Sequence, residues 1–125
     1  MSNYFLAYKG SGEDQAELLE FLHRIKSAYI SRGDAIYITD LDKHDVNRSL
    51  EAAYDRILSS DALVVIMKEG NKSEGMLVEI GFAYKRVPIS IFKHTLAQTR
   101  LTSLADQVSE WNSVNELEEL IRDGN

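Results

Sequence analysis

The six residues ALVVIM, from Ala62 to Met67, form the most strand-like run in the chain. The run is continuous, apolar and rich in valine and isoleucine, which is typical of a central strand in a parallel sheet covered on both faces. Other short apolar runs precede and follow it along the chain: YFLAY (4–8), AIYIT (35–39), VPISIF (87–92) and a last one near 108–111. The sequence therefore predicts five strands.

Segments with helical periodicity separate these runs. EDQAELLEFLHRIKSAYI (13–30) ends before a candidate C-terminal cap, Gly33, and places one set of residues on a single face: Leu18, Leu19, Leu22, Ile25 and Tyr29. RSLEAAYDRILSS (48–60) predicts a second helix with four inward residues: Leu50, Ala53, Ile57 and Leu58. Further helices are predicted within 71–84, near 99–105 and over 113–123. This alternation predicts an α/β, flavodoxin-like, doubly wound fold, with a five-stranded parallel sheet and helices on both faces.

Composition excludes several classes of protein. The chain of 125 residues predicts one domain, 1–125, and it contains no cysteine and no run long enough to span a bilayer. No signal peptide is recognised, so we expect a cytoplasmic protein that does not bind membranes. The net charge of −6 argues against a nucleic-acid partner but leaves room for a small anionic ligand. We expect no cofactor and no metal, since the three histidines lack ligand spacing: His23, His44 and His94.

Ligands of such folds bind at the carboxyl ends of the strands, near the point where strand order reverses. The loop YKGSGED (8–14) places two glycines, a serine and Lys9 before a helix N-terminus, a pattern that attracts anions. The alternative is a flexible turn with a solvated Lys9. In KEGNKSEG (68–75), Ser73 is a candidate helix N-cap and Gly75 allows close approach to the first turn.

Glu79 is the residue that fits its surroundings least, because the helix around it is almost entirely apolar. It follows Gly75 by four residues, so both lie on the same helix face. Glu79 is either a solvated residue, a partner of Lys85, Arg86 or Lys93, or a partly buried carboxylate. An unpaired buried carboxylate is costly, and such groups cluster at functional sites.

SEGMLVEIGFAYKRVPI (73–89) resembles the signature of the nucleoside 2-deoxyribosyltransferase family, with matches at Ser73, Gly75, Glu79 and Gly81. Three other segments are similar to the 2'-deoxynucleoside 5'-phosphate N-hydrolase branch of that superfamily: YFLAYKGSGED (4–14), RLTS (100–103) and EWNSVNELEELI (110–121). The resemblance covers most of the chain in order, and only the Glu79 motif is specific.

The resemblance implies an N-glycosidase acting on a nucleoside or nucleotide, with Glu79 as the nucleophile at C1' of the sugar. It implies a 5'-phosphate site formed by Lys9, Gly10, Ser11 and Gly12, and places Tyr8 beside the sugar or base. It also implies a homodimer with shared active sites, in which Ser103 reaches the phosphate of the neighbouring subunit.

One departure from the family pattern concerns the second acid. The family carries an Asp eight residues before the Asp that opens strand three, and counting back from Asp61 gives Ala53. Asp55 is the nearest candidate, although it is rotated by about 200° around an ideal helix, and Glu51 is rotated similarly in the opposite sense. Three aspartates after strand two are further candidates, although a solvated acidic loop is the preferred interpretation there: Asp40, Asp42 and Asp45.

Three functions remain open at this stage. The first is N-glycosidic cleavage of a nucleoside monophosphate, or the related deoxyribosyl transfer. The second is a TIR-like NAD glycohydrolase, which also uses a glutamate at an N-glycosidic bond. The third is a non-catalytic nucleotide-binding domain, favoured by Ala53 where the Asp is expected.

Overall fold

The computed structural model describes residues 1–10, 13–42, 50–70 and 72–124. Five parallel strands form one sheet in the order β2-β1-β3-β4-β5. Their bounds are β1 Asn3–Ala7, β2 Ala35–Tyr37, β3 Ala62–Met67, β4 Ile89–His94 and β5 Gln107–Trp111. The predicted flavodoxin-like sheet is confirmed, and the central strand β3 coincides with the ALVVIM run.

The helices are α1 Gln15–Ser31, α2 Thr39–Asp42, α3 Leu50–Leu58, α4 Glu74–Ala83 and α5 Val114–Arg122, with a 3-10 helix η1 at Leu101–Leu104. Side chains cap several of them. Asp14 accepts from the Glu17 amide at the start of α1, and Ser73 accepts from the Met76 amide at the start of α4, as predicted. Gly33 follows α1 with φ of +87°, which glycine adopts without strain.

The core has two layers, one on each face of the sheet. On one face of the sheet, α1 and α5 pack against buried residues of β1, β3 and β4, for example Leu6, Val64 and Phe92. The opposite layer contains Ile57 of α3 and Ile80 of α4, and the η1 leucines pack against it. Alternate residues of β3 enter opposite layers, which explains why that strand is apolar throughout.

Three predicted inward leucines are instead exposed. Leu50 and Leu58, at the two ends of α3, are 45% and 54% exposed, while Ala53 and Ile57 between them face the core. Leu19 of α1 is 38% exposed because it points away from the Leu18–Leu22–Ile25 face. Leu19 and Leu58 directly follow the buried Leu18 and Ile57, and adjacent residues on a helix differ by about 100° in direction. Leu50 shares the face of Ile57 but is the first residue of the helix and is exposed there.

The strand order reverses between β1 and β3. β1 is followed by a crossover to β2 on one side, and β3 by a crossover to β4 on the other. Because the strands are parallel, the carboxyl ends of β1, β2 and β3 lie side by side at one end of the sheet, here called the carboxyl end. The starts of the strands form the opposite, amino end. In the described part of the chain, no helix combines the length and apolar character that crossing a membrane requires.

Candidate functional site

A tyrosine and an aspartate are hydrogen-bonded at the carboxyl end of the sheet. Tyr8 directly follows β1, and its hydroxyl donates to Asp40 Oδ2 over 2.5 Å. The Asp40 backbone N–H donates back to the same hydroxyl oxygen over 3.1 Å. Burial, followed by the hydrogen bond to the Asp40 carboxylate, raises the pKa of Tyr8, so the phenol stays protonated.

Asp40 is held in place by the short helix α2. Asp42 forms an ion pair with Lys26 of α1 and accepts the backbone N–H of Ile38 over 2.8 Å. The backbone carbonyl of Ile38 in turn accepts from the amides of Leu41 and Asp42. These contacts contradict the interpretation of this segment as a solvated acidic loop, because Asp40 and Asp42 are both half-buried and both bonded. Asp45 lies outside the described residues.

Gly10 lies close to the Tyr8–Asp40 pair. A Cβ atom at this position would lie 3.3 Å from Asp40 Oδ2 and 3.5 Å from Cε2 of Tyr8. Lys9, between Tyr8 and Gly10, is half-buried. The predicted phosphate loop thus begins beside Tyr8, although Ser11 and Gly12 lie outside the described residues.

Glu79 is a half-buried carboxylate in the second turn of α4. Burial raises its pKa from 4.5 to about 7, and no hydrogen bond or cation from the described residues opposes this shift. Its charge also contributes to the raised pKa of Tyr8, so the two groups are close enough to interact electrostatically. Glu79 is therefore the predicted partly buried carboxylate, and at neutral pH it exists in both protonation states.

The cations considered as partners of Glu79 are engaged elsewhere. Lys93 donates to backbone carbonyls and pairs with Glu110 over 3.5 Å. Arg86 donates to the carbonyl of Phe82 and stacks on its ring, and Lys85 lies over the ring of Tyr84. The ion-pair interpretation of Glu79 is therefore wrong for the described residues.

The start of α4 is open beside Gly75. Ser73 uses its hydroxyl to cap the helix, accepting from the Met76 amide over 3.3 Å. Gly75 is exposed, and a Cβ atom there would meet nothing within 4 Å beyond the helix itself. A ligand can therefore approach the first turn of α4 closely, as the sequence predicted for Gly75.

Two predicted site residues stand apart from this group. Asp55 is exposed on α3, and no described residue bonds to its carboxylate, while Ala53 packs partly buried against the core. Ser103 is exposed in η1, where its hydroxyl donates to the backbone carbonyl of Arg100 over 2.9 Å. Neither Asp55 nor Ser103 joins the Tyr8–Asp40–Glu79 group through a bond within the described chain.

Asp40 is the site residue that sequence reasoning undervalued. Its signal was topological, since β2 lies next to β1 in the sheet and its carboxyl end must therefore lie beside Tyr8. Among the described residues, no cluster of His, Asp or Glu side chains has the arrangement of a metal site. The functional groups described at this site are carboxylates, a phenol and backbone groups.

Neither family models nor curated protein sequences match the chain. Solved structures do. The CMP N-glycosidase BcmB of Clostridium botulinum matches with a TM-score of 0.71 at 15% identity, covering 95% of this chain and 96% of that one. A conserved protein from Enterococcus faecalis matches with a TM-score of 0.69 at 18% identity and 98% coverage of both chains.

A 2-deoxyribosyltransferase from Bacillus psychrosaccharolyticus matches with a TM-score of 0.66 at 15% identity, covering 94% of this chain and 90% of that one. A flavodoxin-like domain from Synechococcus matches with a TM-score of 0.58. At these identities the likeness concerns the fold. The chain therefore shares a flavodoxin-like fold with these proteins over nearly its full length.

Proposed function

We propose that this protein is an N-glycosidase that cleaves a nucleoside or deoxynucleoside 5'-monophosphate at the bond between sugar and base. The observation that carries the proposal is Glu79, a half-buried carboxylate without a partner among the described residues, next to the point where strand order reverses. The fold is shared with a CMP N-glycosidase and with a 2-deoxyribosyltransferase, which supports this chemistry.

The reaction assigned to Glu79 has two steps. The ionised carboxylate attacks C1' as the C1'–N bond breaks, and the base leaves with the bonding electrons and takes up a proton. The oxocarbenium-like transition state collapses to a glycosyl ester of Glu79. Water then attacks C1' and gives up a proton, which replaces the one taken up by the base, and the ester bond breaks to release the sugar phosphate and the Glu79 carboxylate. A second base in place of water would give transfer instead of hydrolysis.

The half-buried position of Glu79 suits this role. A carboxylate with no donor to stabilise it is a better nucleophile than a salt-bridged one, and a pKa of about 7 leaves a large ionised fraction at neutral pH. Tyr8, whose phenol is hydrogen-bonded to Asp40, is assigned to a position next to the sugar. As the second acid we prefer Asp40 to the exposed Asp55, because Asp40 is hydrogen-bonded to Tyr8.

The 5'-phosphate is assigned to the loop that starts after Tyr8. Lys9 supplies a positive charge, and the backbone of Gly10 together with Ser11 and Gly12 would supply N–H donors ahead of α1. With Lys9→Ala we expect KM for nucleoside monophosphates to rise about tenfold or more, with free nucleosides little affected. Equal losses for both substrates would contradict the phosphate assignment.

We assign the homodimer to the outer face of α3 and α4. Five large apolar side chains are exposed on these two neighbouring helices: Leu50, Leu58, Leu77, Val78 and Tyr84. A second copy of the chain is the occupant we assign, because the family resemblance implies a homodimer in which Ser103 reaches the phosphate of the neighbouring subunit. Analytical ultracentrifugation should give a dimer for the native chain and a monomer for Leu58→Asp.

Release of free base is the decisive test. Wild-type protein, Glu79→Gln and the matched control Glu74→Gln are incubated with ribo- and deoxyribonucleoside monophosphates, their nucleosides and NAD. Glu74 lies on the same helix but is exposed. We expect wild type and Glu74→Gln to release base, and Glu79→Gln to be slower by about 10³-fold or more, since the nucleophile is removed.

Other outcomes would redirect the proposal. Nicotinamide release from NAD alone would select the NAD glycohydrolase. Silence across the panel, together with thermal stabilisation by a nucleotide, would select a binding domain, in line with Ala53 at the position of the expected Asp.

A further inference from the structure

The half-buried lysines in the described part of the chain fall into two groups. Three of the five bring their ammonium groups to oxygen acceptors: Lys26 to Asp42, Lys72 to the Gln98 carbonyl, and Lys93 to Glu110 and to backbone carbonyls. The other two are Lys9 and Lys68, and neither is bonded to an oxygen acceptor among the described residues. Since partly burying a charge without a partner is costly, these two ammonium groups are suited to an anionic ligand.

Lys9 and Lys68 lie at the carboxyl ends of two neighbouring strands. Lys9 is the second residue after β1, and Lys68 is the first residue after β3. Ala7 of β1 pairs with Val65 of β3, and Gly10 and Lys68 each follow that pair by three residues. The two segments therefore leave the sheet side by side, at the point where strand order reverses and where ligands of such folds bind.

One face of α1 contacts both segments. A Cβ atom at Gly10 would lie 3.9 Å from Cδ2 of Leu18, and the ammonium nitrogen of Lys68 lies 4.2 Å from the centre of the Phe21 ring. Leu18 and Phe21 are both buried and stand three residues apart, so they are neighbours on the same face of the helix. The ammonium group of Lys68 is therefore one helical turn away from the contact of Gly10 with α1.

The Phe21 ring holds the ammonium group of Lys68 in place without neutralising it. A cation over the face of an aromatic ring is attracted by the quadrupole of the ring, which carries no formal charge. The N–H donors that point away from the ring remain available to an oxygen ligand. Lys72, four residues further along the chain, differs in this respect, because its ammonium group donates to the Gln98 carbonyl over 3.0 Å.

We propose that Lys68 is a phosphate-binding residue, which shares with Lys9 an anion site between the ends of β1 and β3. Two cations match the double negative charge of a phosphate monoester, and lysine binds phosphate as a point charge. That the phosphate belongs to the 5' position of a nucleotide rests on the proposed function, whereas the binding of phosphate does not. In the proposed reaction, Lys68 distinguishes phosphorylated substrates from free nucleosides and takes no part in bond cleavage.

Titration with inorganic phosphate tests the site without a substrate. The lysine side chains are labelled with ¹³C at Cε, the NMR signal of Lys68 is assigned by its loss in Lys68→Met, and phosphate is added at constant ionic strength. We expect the Lys68 signal and the Gly10 amide signal to shift together and to saturate with one Kd, while the Lys72 signal stays in place. Absence of a saturable shift at Lys68 overturns the inference.

Matched variants separate a specific site from a general effect of charge. Lys68→Met removes the charge and keeps an unbranched side chain against Phe21, whereas Lys72→Met removes the same charge from a lysine that already has an acceptor. The Kd for phosphate, read from the Gly10 amide, should rise about tenfold or more in Lys68→Met and less than about twofold in Lys72→Met. Equal effects in the two variants overturn the inference. Lys68→Arg retains the charge and should retain the saturable shift of Gly10, which keeps the test available if Lys68→Met does not fold.

Steady-state kinetics connects the site with the proposed function. In Lys68→Met we expect KM for nucleoside monophosphates to rise about tenfold or more with little change in kcat, and the kinetics of free nucleosides to match wild type. A loss of kcat at unchanged KM would assign Lys68 to the chemistry and overturn the inference. Absence of base release by wild type would sink the proposed function and leave the phosphate titration valid. Base release without a phosphate response at Lys68 would sink the inference alone.

Discussion

Carboxylates at the amino end of the sheet and Glu79 at the carboxyl end differ in their hydrogen bonding. At the amino end, three aspartates lie immediately before strands and each accepts a backbone N–H from the start of a neighbouring strand. Asp34 accepts from Ser2, Asp61 from Asn3 and Asp106 from Ile89, over 2.7–2.8 Å. At the carboxyl end, Glu79 accepts from no described residue.

The pKa shifts follow this difference. The Ser2 amide, followed by Arg32, holds the pKa of Asp34 below its usual range, whereas burial without a donor raises that of Glu79 to about 7. Carboxylates at the amino end complete backbone hydrogen bonding that the sheet leaves open. Asp42 does the same at the carboxyl end by accepting the Ile38 amide, whereas Glu79 accepts no hydrogen bond from the described residues, which is the physical argument that its role is chemical.

The largest expected effect is the pH dependence that Glu79 imposes on stability. Its folded pKa of about 7 exceeds the ordinary glutamate value of 4.5, so the folded state binds the proton more tightly between these pH values. Its contribution to stability is complete below pH 4.5 and is lost as pH rises through 7, by about 3 kcal/mol. Glu79→Gln escapes this loss.

Urea denaturation from pH 4.5 to 8.5 measures the effect. The free energy of unfolding of Glu79→Gln should rise relative to wild type across this range, while that of Glu74→Gln, at an exposed position, should run parallel to wild type. A constant difference between Glu79→Gln and wild type would mean that Glu79 is paired, and the contrast between the two ends would collapse.

The sequence predicted the sheet well because each strand carries its own local signal. ALVVIM matches β3 residue for residue, and Gly33 and Ser73 end and begin helices as their residue types imply. Glu79 was singled out for a similar reason, since its contrast with apolar neighbours is local. What the sequence left undecided was its partner, which the structure decided by engaging Arg86 and Lys93 elsewhere.

The Tyr8–Asp40 bond could not be read from a local pattern. Its two residues lie 32 positions apart, and they meet because β2 pairs with β1. The leucines at the ends of α3 were misjudged for a related reason. Leu50 and Leu58 fit an apolar helical pattern, but tertiary packing decides which positions of α3 are covered, and it buries Ile57 and leaves these two exposed.

The second expected effect is at the amino end, at Arg32. Its guanidinium lies 4.7 Å from the centre of the Tyr29 ring and donates to Asp34, to the carbonyl of Ile121 and to the hydroxyl of Tyr4. Arg32→Ala should lower the free energy of unfolding by about 2 kcal/mol, because packing and several hydrogen bonds are lost together.

Arg122→Ala is the control for Arg32→Ala. Arg122 is half-exposed and forms one pair, at 3.6 Å, within α5, so its removal should cost about 0.5 kcal/mol or less. Base release should be unchanged in Arg32→Ala below its melting temperature. A selective loss of kcat in that variant would show that the two ends are coupled and that the contrast between them is incomplete.

The smallest expected effect comes from replacing each of two glycines, Gly10 and Gly81, with alanine. In Gly10→Ala the new Cβ would crowd Asp40 Oδ2 at 3.3 Å, so the Tyr8–Asp40 pair must shift, at about 1 kcal/mol. In Gly81→Ala the Cβ meets nothing within 4 Å beyond the helix itself, and alanine favours the helix by up to about 1 kcal/mol. The two variants should therefore change the urea midpoint in opposite directions. Only Gly10→Ala should also disturb the Tyr8–Asp40 hydrogen bond, because Gly10 lies against both residues. If both glycines respond alike, the Tyr8–Asp40 pair at the carboxyl end is packed more loosely than its contacts imply.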